Sequence, residues 1–386
     1  MDVRVADIFA LAAPAYLARH AAPRVVVDAC RAIRECRTSA LGGHAKTCSN
    51  DHVVKVWYNG CRNRSCPRCA CGRVRRWLER QVQSLLGCAH HHIIFTIPHE
   101  LNVLWLRNYA VMAEVLFATA REALFELSAD PRYLGARPGA ILALHTWGQQ
   151  LVLHPHVHCL VTAGGVDADG QWVASRRVSM LPAEPLKRLF RGKFLYAVRG
   201  LARRGRLLLP DGWGCGEVYQ LCETAEHKRW NVHVCERYPN PVGVLNYLGR
   251  YLNGGPISER RLLSLDADAV SFEYKDYRDA DGRGQPKVKV LRLSTSEFVA
   301  RFLRHVSPKS FHLVRGYGLY RSGGTTEELR QRVRAELPIS PEQHAQLTSR
   351  PAGYHPTETI AEVCPYCGAL IQVVHYPRGA PLPKVA

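Results

Sequence analysis

The segment LVLHPHVHCLV, residues 151–161, sets three imidazoles at every second position of an apolar run. A β-strand alternates its side chains between two faces, so His154, His156 and His158 share one face while Pro155, Val157 and Cys159 take the other. Neighbouring rings on that face start about 6.6 Å apart, two strand rises, and can converge on one cation at about 2.0–2.1 Å from each nitrogen. The plain alternative is an edge or irregular strand, because Pro155 donates no hydrogen bond, with histidines that meet solvent or satisfied partners.

The chain has 386 residues, 47% of them apolar, enough for two or three domains with real cores. Its 52 Lys and Arg outnumber 33 Asp and Glu, giving a net charge of +19. With a pI near 9.6, that balance favours polyanions, nucleic acid first. An anionic membrane would want a long apolar span or a basic amphipathic anchor, and neither is expected here. The apolar run Ile8 to Ala18 follows Asp2 and Asp7 with a single Arg4 and is interrupted by Pro14, which suits a signal peptide poorly. The expected location is cytoplasmic and DNA-associated. Fourteen cysteines in such a chain stay reduced, and clustered ones point to metal.

Residues 44–71 hold such a cluster. Cys66-Pro67-Arg68-Cys69 is a knuckle whose two thiolates can bind one Zn²⁺, and a second pair from upstream completes a tetrahedron. The set expected is Cys48, Cys61, Cys66 and Cys69, with His44 or His52 as substitutes or as ligands of a second ion. Around the knuckle stand Arg62, Arg64, Arg68, Arg73, Arg75 and Arg76, either a solvated basic face or, at this density, contacts to DNA phosphate. A second knuckle, Cys364-Pro365-Tyr366-Cys367, has no matching pair nearby in sequence.

The middle of the chain reads as α+β. HHIIFTIP (91–98) is a buried strand, 101–127 is largely helical up to Ser128, Asp130 and Pro131, and GAILALHTW and the histidine run are two further strands. A helix spans 184–203, WNVHVCERY (230–238) returns to strand, and SFEYKDYRD with KVKVLRLS forms a hairpin. Ser294 and Glu297 make a capping box for EFVARFLRHV. HHIIFTIP and the histidine run belong at the centre of one sheet. In NPVGVLNYLGRYLNGG (240–255), Asn240 can cap, Pro241 sits at the first helical position and Gly254 ends the helix. Tyr247 and Tyr251 are then i and i+4 on one face, aimed at a common target or packed with Val244 and Leu248 in the core.

A strand-borne histidine pair, a Tyr-x₃-Tyr helix and a basic zinc module together resemble the IS-ninety-one-type rolling-circle transposases, which are HUH endonucleases. The likeness runs through GGHxxxC and CRNRSCPRC, LHTWGQQLVLHPHVHCLVTAGG, YLGRYL, SFEYKDYRD, and EFVARFLRHVSP with GYGLY. It implies an HUH-type catalytic domain with a central, mainly antiparallel sheet flanked by helices, preceded by a small zinc-binding module. The partition expected is 1–88 for a helical and zinc-binding DNA-binding module, 89–322 for the catalytic domain and 323–386 for a tail with the second knuckle. The resemblance puts His156 and His158 on the metal pair, holding Mg²⁺ or Mn²⁺, with His154 as a neighbour. Tyr247 and Tyr251 fall on the nucleophiles, and Gln149, seven residues before the first histidine of the pair, on a third ligand position. Asp51 stands where a zinc-ligand cysteine is usual, and Leu252-Asn253 replaces a common Thr-His. The implied substrate is single-stranded DNA at element ends and targets; Arg250, Lys275 and Arg278 are candidate phosphate contacts, and surface solvation explains any one of them equally well. The rivals are a plasmid replication initiator or relaxase of the same chemistry, and a zinc-ribbon DNA-binding regulator without catalysis.

Overall fold

Helices α1 (Val5–Arg19) and α2 (Arg24–Glu35) lead into a hairpin of β1 (Gly43–Cys48) and β2 (Val53–Tyr58). There follow β3 (His90–Thr96), α3 (Asn102–Arg107), α4 (Tyr109–Ala129), β4 (Arg137–Trp147), β5 (Leu153–Val166) and the short β6 (Trp172–Ala174). Next come α5 (Ala183–Arg203), α6 (Cys215–Glu226), β7 (Asn231–Tyr238), β8 (Leu262–Leu265), β9 (Ala269–Ala280) and β10 (Pro286–Ser294). The chain ends with α7 (Thr295–Leu303), β11 (Val314–Gly318), α8 (Gly324–Glu336) and β12 (Ile371–Tyr376). This computed structural model describes residues 3–70, 84–176, 180–239, 255–281, 284–342 and 362–385.

The main sheet has the order β11-β4-β5-β3-β7, with β6 on the end of β5, and every pairing is antiparallel. β4, β5 and β3 are its inner strands, as their apolar composition requires. Val157, Cys159 and Val161 of β5, Ile93 and Phe95 of β3 and Leu142 and Leu144 of β4 turn one face toward α4 and α5. Phe95 meets Phe190 edge-on at 5.0 Å, and Phe190 meets Trp230 at 5.4 Å. Alternation sends His92, His145, His156 and His158 to the opposite face. The helical stretch expected over 101–127 is broken at Asn108. Its buried amide donates to the Leu104 and Leu208 carbonyls and accepts from the Leu208 amide, so the break leaves that side chain satisfied.

A second core joins α1, α2 and α7 to the three-stranded sheet β10-β9-β8. Phe9 meets Phe302 at 5.0 Å, and Phe272 meets Phe298 at 5.9 Å. Ser294 caps α7, its hydroxyl accepting from the Glu297 amide at 3.1 Å. The Glu297 carboxylate binds Arg301 at 2.7 Å. A third sheet has the order β12-β1-β2, so the carboxy-terminal strand pairs with the amino-terminal hairpin over six residues. Contacts therefore cross both expected boundaries. α8, within the stretch expected to form the tail, packs Leu329 and Val333 against Leu85, Leu86 and Tyr320.

Burial pushes His90, His91 and His305 down to about 4. Their folded pKa values lie below the unfolded 6.5, so these rings cost nothing above pH 6.5 and drain stability as pH falls toward 4. Each can contribute up to about 1.4 kcal/mol per pH unit in that window. Chemical denaturation at pH 7 and pH 5 is expected to show a marked loss at the lower pH. A flat profile contradicts the buried neutral rings.

Candidate metal centre

On the histidine face, ring nitrogens of His145, His156 and His158 all lie within 4.8 Å of one another. β4 supplies the first and β5 the other two, and His145 pairs directly with His156 in the β4–β5 register. The Nε2 atoms of His156 and His158 are 3.0 Å apart. Two ligands at about 2.1 Å from one ion and at right angles stand about 3.0 Å apart, so the pair fits a shared cation. His156 donates from Nδ1 to the His154 carbonyl at 2.7 Å, which leaves its Nε2 lone pair for metal. His158 Nδ1 lies 3.0 Å from Nε2 of His92 on β3, a partner that can fix its tautomer in the same way. Burial first, then the neighbouring imidazoles, hold His156 and His158 well below their ordinary pKa. Both rings are neutral at pH 7, the state that ligates metal. His154 shares the face but is exposed at its edge.

Gln149 stands in the β4–β5 connection. Its side-chain oxygen accepts from the Lys275 amide at 3.3 Å, and its backbone carbonyl accepts from Arg261, while a third imidazole, His145, stands beside His156 and His158. The same connection is held by Arg301, donating to the Gln150 carbonyl at 3.0 Å, and by His305, whose Nε2 donates to the Leu151 carbonyl at 3.1 Å. Leu151 takes φ +60° inside this clamp. His145 was legible in principle: GAILALHTW alternates, and its single histidine falls on the face opposite Leu142 and Leu144.

The thiol clusters divide differently from the expected set. Cys36, Cys61, Cys66 and Cys69 form one group, with Cys36 Sγ at 3.5 Å from Cys69 and 3.6 Å from Cys66, and Cys61 at 3.7 Å from Cys69. A tetrahedral zinc with Zn–S of about 2.3 Å spaces its sulfurs by about 3.8 Å, so four thiolates fit one ion. Gly60 is needed here, since a Cβ on it would come within 2.9 Å of Cys69 Sγ. Cys48 lies elsewhere, grouped with His52, Cys364 and Cys367. The reason is the length of β1: Cys48 ends a six-residue strand, about 17 Å from Gly43, whose partner in β2 is Tyr58, three residues before Cys61. Proximity in sequence suggested Cys48, whereas the hairpin brings the end of α2, with Cys36, to the knuckle. His44 joins neither group; its Nε2 bonds Asn59 Oδ1 at 2.8 Å and its ring stacks on Trp57.

Of the arginines expected on DNA, Arg64 is turned inward, donating to Phe311 O at 2.6 Å and Ser307 Oγ at 3.2 Å, and Arg68 faces Glu259 at 4.0 Å. Arg62 is exposed, as are Lys275 and Arg278 on β9. Tyr247, Tyr251, Arg250, Arg73, Arg75 and Arg76 lie outside the described residues.

Replacing His92 by Phe keeps the sheet packing and removes the partner of His158. Mn²⁺ affinity measured by calorimetry is expected to fall about 10- to 100-fold. An unchanged affinity contradicts the orienting role.

Residues 139–328 match a family described as a putative transposase, and residues 8–97 match the transposase zinc-binding domain. The putative transposase y4qJ of Sinorhizobium fredii is 39% identical over 323 residues, covering 81% of this chain and 79% of that protein. The transposase for insertion sequence element IS801 of Pseudomonas savastanoi pv. phaseolicola is 31% identical over 302 residues, 73% of this chain and 67% of that protein. Among solved structures, a conjugative relaxase TrwC in complex with oriT DNA, in a metal-bound form, is 12% identical, covers 44% of this chain and 74% of that one, and has a TM-score of 0.23. Among the described residues no helix is long and apolar enough to cross a membrane. With relatives at this identity and coverage, the chain belongs to the IS-ninety-one-type transposase family.

Proposed function

We propose that this protein nicks and rejoins single-stranded DNA at the ends of an insertion sequence through 5′-phosphotyrosine joints, as rolling-circle transposition requires. The observation that carries the reading is the convergence of three imidazoles, His145, His156 and His158, on the face of a sheet in a transposase-family chain. A phenol has a pKa near 10 and is a poor nucleophile at neutral pH. A divalent ion, Mg²⁺ or Mn²⁺, held by these rings supplies positive charge to the scissile phosphate, and imidazole donors favour Mn²⁺. Tyr247 or Tyr251 attacks phosphorus: the phenolic O–P bond forms, the bond from phosphorus to the 3′ oxygen breaks, and that oxygen leaves as a hydroxyl with the proton. The bond energy is kept in the joint, so reversal by another 3′-hydroxyl transfers the strand without ATP. Two tyrosines four positions apart in the sequence allow two joints at once.

A single strand is the fitting substrate because a phosphodiester within a duplex is hard to align on such a site. Arg62, Lys275 and Arg278 are exposed cations that can follow a DNA backbone. A relaxase or replication initiator would use the same chemistry. Transposase relatives that are matched over 79% and 67% of their length favour transposition instead. A non-catalytic zinc-ribbon regulator gives no reason for three neutral imidazoles to meet.

Incubation with Mn²⁺ and labelled single-stranded element ends is expected to give a covalent adduct that survives denaturation. It should drop at least about 100-fold in His156→Ala and vanish only when Tyr247→Phe and Tyr251→Phe are combined. An adduct that persists in the double Phe variant contradicts the assignment of nucleophiles.

A further inference from the structure

We infer a second zinc site, built from Cys48 and His52 at one end of the chain and Cys364 and Cys367 at the other, that fastens the carboxy-terminal strand to the amino-terminal module. The four donor atoms lie within 4.8 Å of one another. Cys48 Sγ is 3.6 Å from Cys367 Sγ and 3.5 Å from His52 Nδ1, and Cys364 Sγ is 3.7 Å from the same nitrogen. A tetrahedral zinc with Zn–S of about 2.3 Å and Zn–N of about 2.0 Å spaces sulfurs by about 3.8 Å and sulfur from nitrogen by about 3.5 Å. The observed spacings match on both counts. Disulfide bonding does not account for them, since it leaves an odd thiol and an imidazole in the group and needs S–S contact near 2.05 Å.

Each half of the site is shaped by its own turn. Asp51 takes φ +60°, its amide accepted by the Cys48 carbonyl at 3.0 Å, while the Cys48 amide donates to the His52 carbonyl at 3.2 Å. This turn lays His52 beside Cys48, so the position where a ligand cysteine is usual in the family serves here as the corner. On the other half, Gly368 takes φ +71° directly after Cys367 and donates to the Cys364 carbonyl at 2.9 Å, closing the knuckle. The two halves are brought together by β12 pairing with β1, from Cys48 opposite Ile371 to Gly43 opposite Tyr376. Lys46 pairs with Glu362 beside the knuckle, and the Gly379 amide donates to the Ser39 carbonyl at 2.8 Å beyond the far end of the strand. The family match to the zinc-binding domain ends at residue 97, so half of this donor set lies outside it.

The test uses the full chain in a His156→Ala background, so that the imidazole site adds no ion. Elemental analysis is expected to find two zinc ions per chain and one in the Cys364→Ser, Cys367→Ser double variant. With Co²⁺ in place of zinc, thiolate charge-transfer absorbance should fall to about four sevenths, as seven bound thiolates become four. A second arm needs no cysteine substitution. Cys367 is exposed, so as a free thiol it would react at once with an alkylating reagent. In the native protein it is expected to stay unmodified, then to react together with Cys48 and Cys364 when a strong chelator is added. One zinc per chain in the parent protein, or rapid alkylation of Cys367 without chelator, overturns the site.

Discussion

The structure depends on the burial of β5 between β4 and β3 with its two faces doing different work. One face is apolar and packs against α4 and α5; the other carries imidazoles that burial keeps neutral. Were β5 at an edge, His156 and His158 would be solvated and would titrate in their ordinary range, competing with metal for protons. Placed inside the sheet, they gain fixed partners instead: the His154 carbonyl behind one ring and His92 behind the other. The third imidazole comes from the neighbouring strand, so strand register determines where an ion can sit.

The same strand ties the site to the rest of the chain. The β4–β5 connection is gripped by Arg261, Arg301 and His305, and Leu151 is buried in the second core with Cys66, Phe298 and Phe302. The four-cysteine group abuts that core, and Arg64, next to its knuckle, binds Ser307 and Phe311 just beyond α7. The zinc module is thus joined to the histidine-bearing sheet through α7 rather than hanging from it as a separate bead. Its third strand comes from the other end of the chain.

Much of this was legible in sequence because alternation and caps are local signals. The strand at 91–98, the helix near 184–203, the hairpin after residue 271 and the cap at Ser294 all stand close to where periodicity placed them. The shared face of the three histidines followed from a period of two, whereas singling out His156 and His158 rested on the family resemblance. What was hidden depended on contacts distant in sequence. Cys36 replaces Cys48 because strand length carries Cys48 away from the knuckle, and Cys364-Cys367 finds its partners some 310 residues upstream. His145 lies on a neighbouring strand, where only the register shows that it meets His156. Arg64 and Arg68 read as surface charge, yet both have protein partners on elements distant in sequence.

The central claim is that one divalent ion sits among His145, His156 and His158. Anomalous diffraction at the manganese edge, from crystals grown with Mn²⁺, tests it most directly. The account predicts a single strong peak on the histidine face, within bonding distance of all three rings, with the Gln149 amide outside its shell. A peak coordinated by Gln149 in place of His145, or no peak on that face, would contradict it.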